Sequence, residues 1–261
     1  MSSLTIVFLG SCQTDFLASQ FKLFTTKNLH SIINWDKIQK GLPVPEEVWR
    51  ADILIYQPYL GANDFNTTKI VDKLKTINPV VKCIAIPYFD FGLYSQNHVK
   101  HPEDKNTREY PFTKFGTIPK IFIECNTLDQ MYKALESEEP LQNFEALQKE
   151  QFNKLRERDA RCDVKVADFI EKNWKHKRLF YTRSHPTNVL FEFIMESLLD
   201  FLGWDRKLGV KLRSSLDVSI NFITPRHAQN IGLTFDISEA RWYNGPSRKT
   251  VDYMNEILKG L

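Results

Sequence analysis

The sequence predicts an α/β protein built on a doubly wound, mostly parallel sheet flanked by helices, with a helical C-terminal extension. Three observations carry this expectation. Short runs of β-branched and aromatic residues alternate with segments whose apolar residues recur at helical spacing. The connections between successive runs are long enough for crossovers, and crossovers make neighbouring strands parallel with helices on both faces. At 261 residues, 42% of them hydrophobic, the chain can bury a sizeable core as one large domain or as a domain with an appendage.

In chain order, "LTIVFL" (4–9) is a strand, and "TDFLASQFKLF" (14–24) is an amphipathic helix through Phe16, Leu17, Gln20, Phe21 and Phe24. "LHSIINW" (29–35) and "DILIYQ" (52–57) supply two more strands. "TTKIVDKLKTI" (67–77) sets Ile70, Val71, Leu74 and Ile77 on one helical face and is stopped by Pro79, and "VVKCIAI" (80–86) follows as a buried strand. From Pro87 to Pro119 aromatics and turn formers lack any period, which fits a lid or binding wall as well as an idle linker. "NFEALQKEQFNKLRERDARCDVKVADFIEKNW" (143–174) reads as one long helix or two consecutive ones with a solvated charged face, and "RLFYT" (178–182) as a last strand. "TNVLFEFIMESLLDFLGW" (187–204) is a strongly apolar helix that Gly203 ends. Beyond Trp204 the pattern is mixed until "SRKTVDYMNEILKGL" (247–261), read as a helix. Residues 1–204 are therefore expected to form the α/β domain that carries any chemistry, and 205–261 an extension packed on the same domain.

Composition narrows the function classes. A charged fraction of 26% and an aromatic share of 13% argue against disorder, and a net charge of +3 is too small to mark a nucleic-acid binder. No apolar run approaches bilayer length and the start lacks the basic residues of a secretory signal, so no stable membrane insertion and a cytoplasmic location are expected. The four cysteines, Cys12, Cys83, Cys125 and Cys162, lie far apart with no CxxC pair, which favours free thiols. "HVKH" at His98 to His101 has metal-compatible spacing but no partner pair, so no metal is expected.

Chemistry is expected where the first strand ends, because ligands of open α/β sheets meet the carboxyl ends of strands, and "GSCQ" follows that strand directly. Gly10 permits a tight turn there, and a helix starting near Thr14 would aim its unpaired N–H groups at the Cys12 thiol, favouring the thiolate that attacks electrophiles. The competing reading is a small buried filler. His185 is the best-placed base, after an apolar strand and before a helix whose first turn can hold Pro186, so that one end of the sheet could carry both residues. A histidine before proline is also an ordinary turn residue.

The GxCQ turn, the later "DILIYQP", and "SHP" opening an apolar helix resemble the WcbI-type capsular-polysaccharide acetyltransferases, over roughly Leu4 to Leu202. The resemblance implies an SGNH-hydrolase-like three-layer fold and a cytoplasmic enzyme that binds coenzyme A, takes acetyl-CoA as co-substrate and transfers the acetyl group to a sugar hydroxyl. It implies Cys12 as nucleophile and His185 as catalytic histidine. "GAND" (61–64) is similar to the block that serves the oxyanion hole, which points to Gly61 and Asn63 beside the backbone N–H of Gln13, although Asn63 could equally cap the helix near Thr67. One departure stands out: the SGNH pattern has an aspartate three residues before the histidine, where this chain has Thr182. A Cys–His dyad is the economical reading, since a thiol is far more acidic than a hydroxyl.

Coenzyme A would call for cations and aromatics. Arg183 is the first candidate, two residues from His185; Arg178 and Lys177 follow, then Lys172 and Lys175, all of which also fit a solvated surface. Tyr88, Phe89 and Phe91 could cover a ring, or simply pack. Two other readings stay open: a cysteine-dependent esterase or deacetylase with water as acceptor, and a non-enzymatic sugar-binding protein whose Cys12 is structural.

Overall fold

Four strands pair in parallel at the centre of the fold: β1 (Thr5–Gly10), β2 (Asn28–Ile33), β3 (Ile53–Tyr56) and β4 (Lys82–Ala85), in the order β2-β1-β3-β4. The computed structural model describes residues 4–25, 28–94, 133, 144–205, 212, 223, 225–237, 239–240 and 248–249. Leu9 stands opposite Ile32 and Tyr56, and Tyr56 opposite Ala85, so the register is continuous across the sheet. Two carboxylates extend the ladder at its ends: Thr5 N donates to Asp52 Oδ2 at 2.7 Å, and Ala85 N donates to Asp163 Oδ2 at 2.7 Å.

The chain divides into two compact units, one of residues 1–89, 153–171 and 188–215, the other of residues 90–152, 172–187 and 216–261. In the first, alternation along β1 sends side chains to opposite faces. Val7 and Leu9 join Ile32, Leu54, Phe65, Ile70 and Leu74 in one buried cluster, roofed by α3 (Glu46–Trp49) and α4 (Thr67–Ile77); α2 (Asn34–Gln39) follows β2. On the other face Phe8 meets Phe21 edge-on at 5.4 Å, and Phe16 meets Phe191 at 4.4 Å. These contacts bring α1 (Cys12–Phe21) and the apolar helix at Asn188–Leu202 onto that face, giving three layers. Each such buried ring contributes about 2 kcal/mol of burial free energy.

The stretch at 143–174 resolves into two helices, α5 (Phe144–Asp159) and α6 (Ala167–Asn173). They break at 160–166 because Asp159 turns its Oδ2 onto the N–H groups of Val166 and Ala167, at 2.8 and 2.7 Å, and starts the second helix. "RLFYT" does form β5 (Phe180–Thr182), but it pairs antiparallel with β6 (His185–Pro186) in a separate hairpin and is not a strand of the parallel sheet. Pro186 is thus a strand residue opposite Phe180, and the next helix, α7 (Asn188–Leu202), starts beyond it; Gly203 ends that helix at φ +67°.

The second unit is packed on aromatics. Phe91 stacks on Phe180 at 5.2 Å and meets Tyr94, Phe152 and Trp174 at 5.2, 6.1 and 5.7 Å. Tyr94 OH donates to the Trp174 carbonyl at 2.6 Å, and burial pushes its phenol well above the ordinary range. Helix α8 (Pro225–Ile231) and a short hairpin of β7 (Glu239–Ala240) and β8 (Arg248–Lys249) belong to the C-terminal part. Arg248 and Lys249 are extended and paired where the sequence suggested helix; the remainder of that predicted helix lies outside the described residues.

Candidate active site

The winding of the sheet reverses between β1 and β3, since the chain passes from β1 to β2 on one side and returns to β3 on the other. In open parallel sheets that reversal opens a crevice beyond the carboxyl ends of the two central strands. Ser11 and Cys12 follow β1 there, and the loop from Gln57 follows β3.

Cys12 is the first residue of α1, so the helix starts two residues earlier than spacing suggested. Ser11 is the reason. Its backbone is extended, its Oγ accepts from Gln13 N at 3.3 Å, and its carbonyl accepts from the N–H groups of Thr14 and Asp15 at 3.0 and 3.2 Å. Cys12 is exposed, which rules out a core filler, while Gln13 and Thr14 beside it are sealed. The other described thiols are poor nucleophiles: burial pushes Cys162 up to about 12 and raises Cys83 as well. Cys125 lies outside the described residues, as do His98 and His101.

The Gln13 side chain is committed to the scaffold. Its Nε2 donates to the Phe89 carbonyl at 2.7 Å, and its Oε1 accepts from Phe89 N at 3.0 Å and from Gln57 Nε2 at 2.8 Å. Phe89 is buried completely and packs edge-on against Phe191 at 6.3 Å. Its ring therefore offers no face to a ligand, and neither does that of Phe91, which is core of the second unit. Tyr88 is exposed, with the Arg158 guanidinium 5.8 Å from its ring centre.

Gly61 and Asn63 lie in the loop between β3 and α4. Asn66, and not Asn63, caps α4: its Oδ1 accepts from Thr68 N and Lys69 N at 3.1 and 3.2 Å, and its Nδ2 donates to the Gly61 carbonyl at 2.9 Å. Asn63 is exposed and closes a small turn by accepting from Phe65 N at 3.1 Å.

His185 belongs to the second unit, and Cys12 to the first. It is half-buried in β6, directly opposite Thr182, the position where the SGNH pattern has its acid. Burial holds the imidazole below its ordinary value, and its Nδ1 has no hydrogen-bond partner among the described residues. Arg183 is paired: Nε and Nη2 grip the two oxygens of Asp90, the second at 3.2 Å, so much of its charge is spent within its own unit. Arg178 is half-buried with its guanidinium 5.5 Å from the Phe235 ring centre, and Lys177 and Lys172 are exposed. Lys175 lies 5.2 Å from the Trp174 ring centre.

Sequence reasoning missed Gln57, Arg158 and Asp90. "DILIYQP" drew attention to the first but assigned it no role. The other two act on partners far along the chain, with 70 residues separating Arg158 from Tyr88 and 93 separating Asp90 from Arg183. Among the described residues no group of acidic, cysteine or histidine side chains is arranged to hold a metal, and no helix is long and apolar enough to cross a membrane.

Comparison with known proteins adds a family to this geometry. The family model described as polysaccharide biosynthesis enzyme WcbI matches residues 5–207. No curated protein sequence matches the chain. A solved structure of WcbI, described as a polysaccharide biosynthesis enzyme in its native form without a disulfide bond between coenzyme A and one of its cysteines, is similar in fold with a TM-score of 0.66. That likeness has 17% identity and covers 99% of this chain and 89% of the other.

Proposed function

This chain belongs to the WcbI family of polysaccharide biosynthesis enzymes, and from that membership we propose that it is a coenzyme A-dependent acetyltransferase acting on a sugar hydroxyl through Cys12 and His185. The observation that carries the reading is the placement of an exposed cysteine as the first residue of α1, at the switch point of the sheet. A thiol there lies at the positive end of the helix dipole, which favours an anion. The similar WcbI structure is that of the native protein without a disulfide bond between coenzyme A and a cysteine, and this association of coenzyme A with a cysteine supports coenzyme A as the ligand.

In the proposed reaction neutral His185 takes the Cys12 proton, and the thiolate attacks the carbonyl carbon of acetyl-CoA. The tetrahedral oxyanion is stabilised by the backbone N–H of Cys12, because those of Gln13, Thr14 and Asp15 already donate to Ser11, with Asn63 as a further donor. The C–S bond to coenzyme A breaks, its thiolate takes the proton back from the imidazolium, and the acetyl group remains on Cys12. His185 then accepts the proton of a sugar hydroxyl as that oxygen attacks the acetyl-cysteine, which frees the ester product and the Cys12 thiol. Burial of the imidazole supports its role as a base, since the neutral form is the one that takes a proton. Lys177, Arg178 and Arg158 with Tyr88 are the proposed contacts for the phosphates and adenine, and Arg183 acts by holding Asp90.

Mixing the full chain with acetyl-CoA tests this. The expected result is release of coenzyme A and an acetyl group on the Cys12 peptide by mass spectrometry, absent in Cys12→Ser and slowed in His185→Ala. Undiminished thioester consumption by Cys12→Ser would remove the nucleophile from the proposal.

A further inference from the structure

We propose that Gln57 is a positioning residue for the Cys12 thiol: its amide holds Ser11 and Gln13, the two residues that flank Cys12, and so fixes the turn from which the sulfur reacts. The inference rests on Cys12 as the reacting group. Gln57 Oε1 accepts from Ser11 N at 2.9 Å and from Ser11 Oγ at 2.8 Å. Its Nε2 donates to Gln13 Oε1 at 2.8 Å and to the Pro87 carbonyl at 3.2 Å. A primary amide has two lone pairs and two hydrogens to offer, and all are used.

The orientation of this network admits one solution. Ser11 N can only donate and the Pro87 carbonyl can only accept, so the Gln57 amide cannot flip. Phe89 N and its carbonyl fix Gln13 in the same way. Because the Ser11 hydroxyl hydrogen points to Gln57, an oxygen lone pair is left to cap Gln13 N. The chain of bonds thus runs from the loop after β4, through Gln57 after β3, to both sides of Cys12 after β1. Gln57 is 5% exposed and Gln13 is fully buried.

Stability alone does not call for this arrangement. Replacing a buried polar pair by apolar groups of the same shape is close to neutral, whereas a fully satisfied amide network specifies a single geometry. Gly10 fits the same purpose, since a Cβ there would lie 2.7 Å from Gln57 Oε1 and block the approach of the amide.

The test uses the full chain and two readouts at Cys12: acetylation by acetyl-CoA and alkylation by iodoacetamide, each followed on the Cys12 peptide. Gln57→Glu keeps the shape but, ionised, cannot donate to Gln13 or Pro87. Its acetylation and alkylation rates are expected to fall about tenfold or more, with acetyl-CoA affinity little changed. The deficit relative to wild type is expected to narrow as pH falls, when the new carboxyl regains a proton to donate. Ser11→Ala is expected to lose rate while Ser11→Thr, which keeps the hydroxyl, retains it; this pair decides the matter if the Gln57 variant fails to fold. Wild-type rates on both readouts in a folded Gln57→Glu protein, or equal rates in the two Ser11 variants, would overturn the proposal. If wild type takes no acetyl group yet alkylation still slows in Gln57→Glu, the transferase reading fails and the positioning role stands.

Discussion

Replacing one hydrogen of Gly10 by a methyl group would bring a Cβ within 2.7 Å of both Gln57 Oε1 and the Thr14 side chain, where neither neighbour has room to retreat. Gly10→Ala is expected to lower stability by about 1–3 kcal/mol, the usual cost of overpacking, read as a shift in the urea midpoint without a change in slope. The opposite situation holds at His185, where a partner is missing from the expected place. Thr182 stands directly across the hairpin, and Cβ atoms of such a pair are about 5 Å apart. Thr182→Asp is therefore expected to set a carboxylate beside the imidazole and raise its proton affinity against the lowering effect of burial. An NMR titration of His185 measures this, and an unmoved or lowered midpoint would show that the carboxylate does not reach the ring. Cys12 and His185 stood out in the sequence because each lies at the end of an element. Gln57 did not, because its role exists only through contacts with residues 46 and 44 positions away.

Helix α4 separates two asparagines that the sequence could not tell apart. Asn66→Ala removes the acceptor for two helix N–H groups and is expected to cost about 1 kcal/mol in chemical denaturation. Asn63→Ala removes the turn bond from Phe65 N and a long 3.4 Å bond to the Tyr59 hydroxyl, and is expected to cost less than about 0.5 kcal/mol. If Asn63 donates to the oxyanion, that second variant loses acetylation rate at nearly unchanged stability; equal activity would take it out of the site. The strands β1 to β4 and α4 were legible to within a residue or two, because their apolar runs are bounded by Gly, Pro or Asn and repeat at strand or helix spacing. The β5–β6 hairpin was not. Strands of three and two residues carry no period, and only the tight return at Arg183 and Ser184 shows that "RLFYT" pairs backwards.

Among the described residues, half-buried His185 and buried His227 are both held toward the neutral form and make stability depend on pH. Burial lowers both His185 and His227, whose Nε2–H donates to the Leu93 carbonyl at 3.0 Å. The unfolded chain binds these protons near its ordinary value of about 6.5 while the folded chain resists, so stability rises with pH through that window and falls as pH drops below it. The melting temperature is expected to be lower at pH 5.5 than at pH 7.5, and His185→Ala is expected to flatten part of that slope. Asp159, raised by burial, works with the opposite sign in a more acid window, from about 4 upward: its share is lost as pH rises through its folded value.

The order of synthesis gives the interleaved segments one more consequence. Residues 1–89 hold all four parallel strands, yet Phe191, which covers Phe16 and Phe89, leaves the ribosome about a hundred residues later. One greasy side of the nascent sheet, covered by α1 but not yet by α7, is thus partly bare during translation, a state that invites chaperone capture or misassociation. A chain arrested after β4 is expected to be retained by such helpers, and extension through Leu202 is expected to release it.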